Sequence, residues 1–255
     1  MSKSFLVKKP VKLSKISTKP PKGTDRRKIE KETKRLAKRI ADLQEMLYAN
    51  QDKNLLVVFQ GMDSSGKDGS TREAFKYCSL AGVAAYSFKK PTELEFAHDF
   101  LWRCHKLAPR KGHIQVFIRS HYEDVLIQRV HKWIDEERVN KRIDAINNWE
   151  RLLEFDNNTT VLKIYLHLSK ERQGEKLKER TEEKDKFWKH NPADFEERKY
   201  WDQYREVYED TINRSEIPWH IVPVDSRWYR NYCVTKIIHD TLVGFKLKWP
   251  PLSKE

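Results

Sequence analysis

Three features of the sequence predict an α/β fold, with a five-stranded parallel sheet, helices on both faces, a helical lid and an N-terminal helical extension. A glycine-rich loop closes a continuous apolar run, strand and helix candidates alternate from there to the C-terminus, and an apolar stripe at helical spacing precedes them. A length of 255 residues fits one large domain with appendages better than two complete domains.

Residues 1–24 read as an irregular basic arm. From Asp25 to Ala49, Ile29, Leu36, Ile40, Leu43 and Leu47 recur at spacings of three, four and seven, which is one helical stripe. That stripe is free to pack on its own domain or on another subunit. Asn54–Gln60 is apolar almost throughout, as expected of a central parallel strand buried on both faces. Lys67–Leu80 then reads as a helix, Val83–Lys89 as a strand, Thr92–Leu107 as helical and Ile114–Ser120 as a strand. A short linking helix and the helix Asp135–Phe155 lead to a strand over Thr160–Ser169. The segment Lys170–Asp210 is mostly helical and heavily charged, Trp219–Asp225 is the fifth strand, and a last helix ends near Leu242.

Composition narrows the function. Eight Trp, eleven Phe and ten Tyr argue for a folded chain despite 35% charged residues. A formal net charge of +13 attracts polyanions such as nucleic acid, anionic lipid or polyphosphate, and does not choose among them. Cys78, Cys104 and Cys233 are scattered, without CxxC spacing or a zinc-type His cluster, so neither a disulfide framework nor structural zinc is expected. No run of about 18 apolar residues occurs, and the Lys-rich start, broken by the prolines of KPVKL and KPPKG, fits an organelle transit peptide poorly. A soluble, cytoplasmic protein with no membrane partner is the expectation.

The loop QGMDSSGKDG, Gln60–Gly69, holds the Walker A frame Gly61-x-x-x-x-Gly66-Lys67. Backbone N–H groups and a helix N-terminus surround phosphate in such a loop, and the lysine neutralises it. Asp68 stands where Ser or Thr usually offers magnesium a hydroxyl. Asp63, inside the frame, would repel phosphate unless a divalent cation lies between them. The alternative for Asp63 is a capping carboxylate for the following helix.

The strand IQVFIRS ends in Arg119, followed by Ser120-His-Tyr-Glu-Asp124, which places a guanidinium and two carboxylates at a strand end. Arg binds phosphate bidentately, and Glu123 and Asp124 are candidate magnesium ligands. The competing reading is a solvated helix start favoured by the dipole. From Arg172 to Arg198 the chain carries Arg180, Lys184 and Lys189 with Trp188 among them. Such a run is ordinarily a solvated face, or else a flap that brings cations over phosphates and excludes water.

Together QGMDSSGKDG, YSFKKPTELEFAHDFLWR, RSHYEDVL, ERTEEKDKFWKHNPADFEERKYW and WHIVPVDSRWYRNY resemble the polyphosphate kinase type 2 family, in order from about Leu55 to Leu242. The resemblance implies a P-loop kinase three-layer α/β/α fold and phosphoryl transfer between inorganic polyphosphate and nucleotides, with magnesium or manganese. The HYEDVL form is similar to the subgroup acting on both AMP and ADP. The expected division is a basic arm and helix over 1–52, a catalytic domain over 53–245 with a lid at about 170–200, and a tail over 246–255. Homodimers or homotetramers are expected from related proteins. One departure is Ile118, where the family usually carries Asn or Asp before the motif arginine.

The expected catalytic residues are Asp63, Lys67, Arg119, Asp124 and Arg180, with Asp63 and Asp124 on the metal. Phosphate or nucleotide contacts are expected from Gly61, Met62, Ser64, Ser65, Gly66, Asp68, Gly69, Lys89, Arg103, Glu123, Arg129, Lys184 and Lys189. A phosphate nucleophile is already ionised at neutral pH, so no catalytic base is needed and charge neutralisation with in-line positioning does the work. Expected substrates are polyphosphate with AMP, ADP and ATP, guanine nucleotides being a further candidate, and no specific nucleic acid. Two rivals stay open: an ATP-dependent nucleoside monophosphate kinase, separated by donor choice, and a non-enzymatic nucleic-acid or polyanion binder, separated by absence of turnover.

Overall fold

Every residue of Asn54–Gln60 (β1) is buried, because this strand lies at the centre of the sheet and is covered on both sides. The computed structural model describes residues 5–7 and 10–252; the rest of the basic arm and the last three residues of the tail lie outside the described residues. The strands Val83–Ser87 (β2), Ile114–Ile118 (β3), Thr159–His167 (β4) and Trp219–Pro223 (β5) join β1 in the order β2-β3-β1-β4-β5, with every pair parallel. The register sets Phe59 beside Ile118 and Gln60 beside Tyr165, so the chain leaves β1, β3 and β4 on one side. That side, where ligands bind in open parallel sheets, receives the glycine loop.

Alternation along β1 explains its unbroken apolar run. Leu55, Val57 and Phe59 pack with Ile40, Leu43 and Leu47 of Arg26–Asn50 (α1) and with Val234 and Ile238 of Arg227–Gly244 (α10). Leu56 and Val58 face the other way, into a core with Ile143, Ile146 and Trp149 of Glu136–Asn157 (α6) and Tyr208 and Ile212 of Trp201–Arg214 (α9). The α1 stripe is therefore spent within its own chain. Among the described residues no helix is long and apolar enough to cross a membrane.

Three boundaries differ from the expectation. The first helix after the glycine loop is Lys67–Phe75 (α2), shorter than expected. Thr92–Leu107 divides into Glu93–Phe96 (α3) and Trp102–His105 (α4). Thr92 makes a capping box with Glu95, and the Asp99 carboxylate accepts from the Leu101 N–H, giving the segment two starts. After Glu123–Val130 (α5), α6 and β4, the charged segment comprises Lys170–Glu182 (α7), a 3₁₀ turn over Lys184–Lys189, Ala193–Glu197 (α8) and a 3₁₀ turn over Arg198–Tyr200 before α9. Glu183 and His190 adopt extended conformations, and Asn191 precedes a proline, which disfavours continuing the helix.

The arm is irregular but anchored. Val7 N–H donates to Trp219 O and Ile221 N–H to Phe5 O, which covers the β5 edge, and Val11 and Leu13 are buried.

Candidate active site

The glycine loop depends on backbone that only glycine accepts at two points. Gly61 has φ +148°, and a Cβ there would meet Leu166 O at 2.7 Å. Gly66 has φ +95°, and its Cβ would lie 1.8 Å from Arg230 Nη1. Within the loop Lys67 Nζ donates to Gly61 O at 2.6 Å and Met62 O at 3.3 Å. Ser65 Oγ is buried and has no hydrogen-bond partner among the described residues, as a hydroxyl waiting for a ligand oxygen would be.

Arg119 follows β3 directly with φ +62°, a conformation uncommon outside glycine, and its Nη2 donates to Asp63 Oδ1 at 2.8 Å. Burial would raise the Asp63 carboxyl, but Lys67 and then Arg119 outweigh it and hold the group below its ordinary range. Burial, then Arg119, pushes the Lys67 ammonium down to about 8 against the pull of Asp63 and Glu123. Glu123 is raised, chiefly by burial, with Asp63 adding repulsion against the attraction of Arg119 and Lys67. Asp63, Lys67, Arg119 and Glu123 therefore act on one another as one cluster. Ile118 is buried in the core, so that position offers no polar contact.

Beside this cluster opens a cleft of about 500 Å³, within the usual range for small-ligand sites. Phe88, Phe96, Trp133, Trp201, Tyr204 and Tyr208 line it, together with Lys89, Arg103, Asp124 and Arg198. Aromatic faces with a few cations suit a base carried next to phosphate. Arg103 is held in place by Lys89 O at 3.0 Å and Asp124 at 3.4 Å. At the rim, His131 donates to Glu197, 3.0 Å away, and Tyr204 donates to the same carboxylate at 2.7 Å, tying α8 to the end of α5.

Helix α7 lies against the loop. Gln173 donates to Asp63 O at 3.2 Å, Lys176 to Ser64 O at 3.1 Å and Arg180 to Ser64 Oγ at 2.7 Å, contacts at i, i+3 and i+7 on one helical face. Asp194 of α8 receives a further bond from Arg180. Part of the charged flap is thus docked on the glycine loop.

The expected residues separate into groups. Asp63, Lys67, Arg119, Arg180 and the loop from Gly61 to Gly66 come together, joined by Glu123. Asp124, expected on the metal with Asp63, is instead turned to Arg103 and to Gln128, whose side chain donates to it at 2.6 Å. Its field partners are Arg103 and Arg142, opposing a rise caused mainly by burial, whereas Asp63 acts on Glu123. Arg129 is spent on Glu136 and Asp210, away from the cleft. Lys184 and Lys189 are exposed on the 3₁₀ turn, Lys189 resting 4.8 Å over the Trp188 ring, and Asp68 is exposed at the start of α2. Gly69 faces Arg230, whose Nη2 lies 3.0 Å from where its Cβ would be.

Sequence reasoning missed Lys176, Arg230 and the aromatic lining. Lys176 lies midway between Arg172 and Arg180 at i, i+4 and i+8, a spacing that marks one face. Arg230, in the quoted WHIVPVDSRWYRNY, has no such local sign; it is buried, and burial followed by Arg227 lowers its pKa to about 10.

A family model described as "Polyphosphate kinase 2 (PPK2)" matches residues 23–248. The chain is 43% identical over 218 residues to an AMP/ADP-polyphosphate phosphotransferase of Meiothermus ruber, covering 84% of this chain and 81% of the relative. It is 38% identical over 227 residues to an ADP-polyphosphate phosphotransferase of Rhodopseudomonas palustris, covering 83% and 78%. The crystal structure of polyphosphate kinase 2 from Arthrobacter aurescens superposes with a TM-score of 0.94 at 35% identity, over 98% of this chain and 92% of that one. With a match across most of its length, and with the phosphate loop, Arg119 and the docked flap in one place, the chain belongs to the polyphosphate kinase 2 family.

Proposed function

We propose that this protein transfers phosphoryl groups between inorganic polyphosphate and nucleotides, AMP to ADP and ADP to ATP, in a magnesium- or manganese-dependent reaction. The observation that carries the reading is a phosphate loop whose cations, Lys67, Arg119 and Arg180, surround the carboxylate of Asp63 beside an aromatic cleft. The printed names of the M. ruber and R. palustris relatives support polyphosphate as one substrate and AMP or ADP as the other.

In this reading the nucleotide base enters the aromatic cleft and Arg103 meets its phosphate. The loop N–H groups and Lys67 hold the donor phosphate, with Lys67 released from the Gly61 and Met62 carbonyls to do so. Arg119 and Arg180 balance charge on the transferring group, and α7 excludes water from it. Proton abstraction is not required of the protein. His121, the histidine nearest in sequence to Arg119, is buried against Glu150 within the core.

The donor set fits a hard divalent cation. Asp63 and Glu123 both line the cleft and repel each other, which an ion near both relieves. Magnesium suits that arrangement, since it takes one or two carboxylates and completes its shell with water and phosphate oxygens. Asp63 and Glu123 would hold it, and the ion would neutralise phosphate charge when bound. Guanine nucleotides as substrates, a cytoplasmic location, in keeping with three free cysteines, and assembly into dimers or tetramers, expected from related proteins, belong to the same proposal.

The test mixes the protein with AMP or ADP, magnesium and polyphosphate. ADP and then ATP are expected, with turnover lost on adding a chelator and regained with excess magnesium. Turnover with ATP alone as donor would establish the monophosphate kinase, and absence of turnover with either donor would leave a polyanion binder.

A further inference from the structure

The family model begins its match at residue 23, and the segment before it makes a specific connection to the root of the lid. Helix α7 starts at Ser169, whose hydroxyl caps it by accepting from the Arg172 N–H at 3.1 Å. The Ser169 N–H donates to Asp225 Oδ1 at 2.9 Å, while the other oxygen of that carboxylate, Oδ2, accepts from the Thr18 hydroxyl at 2.7 Å. One carboxylate thus joins the arm to the first turn of the lid.

Two further bonds fix the arm at this point. The Asp225 N–H donates to Thr18 O at 3.0 Å, and His167, the last residue of β4, donates through Nε2 to Ile16 O at 3.1 Å. Upstream, Val11 and Leu13 are buried, and their N–H groups donate to Asn213 and Glu209 of α9 at 2.7 Å each. The arm is therefore bound to α9, β4 and β5, and it reaches α7 through Asp225.

We infer that Thr18 is a positioning residue for phosphoryl transfer: by holding Asp225 it fixes the root of α7, and through α7 the placement of Lys176 and Arg180 on the glycine loop. The chain of contacts is short. Seven residues after Ser169, Lys176 meets Ser64 O, and one further turn along, Arg180 meets Ser64 Oγ. Asp225 also attracts the Lys176 ammonium. Without the Thr18 hydroxyl the carboxylate is free to turn from Ser169 toward Lys176, which loosens the root and competes with Ser64 for the lysine.

The test uses the full chain with Thr18→Val, which removes the hydroxyl while keeping shape at a half-buried position, and Thr18→Ser, which restores it. In Thr18→Val the kcat of AMP phosphorylation by polyphosphate is expected to fall about tenfold, the consequence of partly losing a hydrogen bond to a charged group. KM for AMP should stay within about twofold, because the cleft is untouched. Amide hydrogen exchange should quicken across residues 170–182 and not in β1 or β3, and Thr18→Ser should return both readouts to wild type. Wild-type kcat with wild-type exchange would reduce the arm to a cover for β5. A loss of kcat without faster exchange in α7, or one that serine does not rescue, would equally overturn the inference. The kinetic part rests on the polyphosphate reading, whereas the exchange comparison needs no turnover, so failure of one is distinguishable from failure of the other.

Discussion

Lys67 is buried at 7% exposure in a loop where phosphate would need it charged, and these demands oppose each other. Burial and Arg119 lower its pKa to about 8, and a lysine lowered in this way sheds its proton as pH rises through that value. Only the ammonium attracts phosphate. The kcat/KM for polyphosphate should therefore be level below about pH 7 and fall through about pH 8, while kcat at saturating donor falls at higher pH because bound phosphate raises the lysine again. Lys176, lowered to about 8 by burial and Arg230, adds to the same limb. Initial rates across the pH range check this, and a flat profile would deny both lysines a role. Lys67→Ala should cost roughly 100- to 1,000-fold in kcat, the usual size of one lost electrostatic contact to a reacting group, in a protein with an unchanged circular dichroism spectrum.

The loop that presents Arg119 and Glu123 is held from beneath by two elements, α6 and β4. Lys163 of β4 pairs with Glu150 of α6 at 2.5 Å and donates to Tyr122 Oη at 2.7 Å, while Tyr122 donates to Glu150 at 2.9 Å, all fully buried or nearly so. Above them Ser120 Oγ accepts from Gln60 and from the Tyr122 N–H. Burial would raise the Glu150 carboxyl, and Lys163 reverses that, so each charge is tolerable only with the other. Lys163→Met should destabilise the protein by about 3–5 kcal/mol in urea unfolding, since it leaves Glu150 buried without its counter-charge. Adding Glu150→Leu should recover a large part of that loss. If the single variant is as stable as wild type, the pair does not hold the loop.

Across the whole molecule the surplus of +13 exceeds what one nucleotide needs. A long polyanion is steered and held by many such charges, and its binding releases counterions. Raising salt from about 50 to about 200 mM should raise KM for polyphosphate roughly tenfold if about two charges are neutralised, and KM for AMP much less. Equal salt dependence for the two substrates would show that the surplus does not act on the donor.

The sequence by itself determined the fold class and which residues gather about the glycine loop. Buried strands, helical stripes and a loop that requires glycine are local patterns, so β1 and the Gly61–Lys67 frame were legible residue by residue. Asp63, Arg119 and Arg180 followed, because parallel strands deliver their loops to one side. Tertiary structure alone decided which neighbour serves which purpose. Glu123 and Asp124 are consecutive at a helix start and so point about 100° apart; the packing of α5, and not the motif, turns Glu123 to Asp63 and Asp124 to Arg103. Arg129 carries the same charge as Arg119, but Glu136 and Asp210 lie within its reach and hold it. Arg230 reaches Gly66, and Thr18 reaches Asp225, only because folding brings together segments more than 150 residues apart. No periodicity records such a meeting, since it depends on the long-range pairing of elements and not on the order of side chains within any one of them.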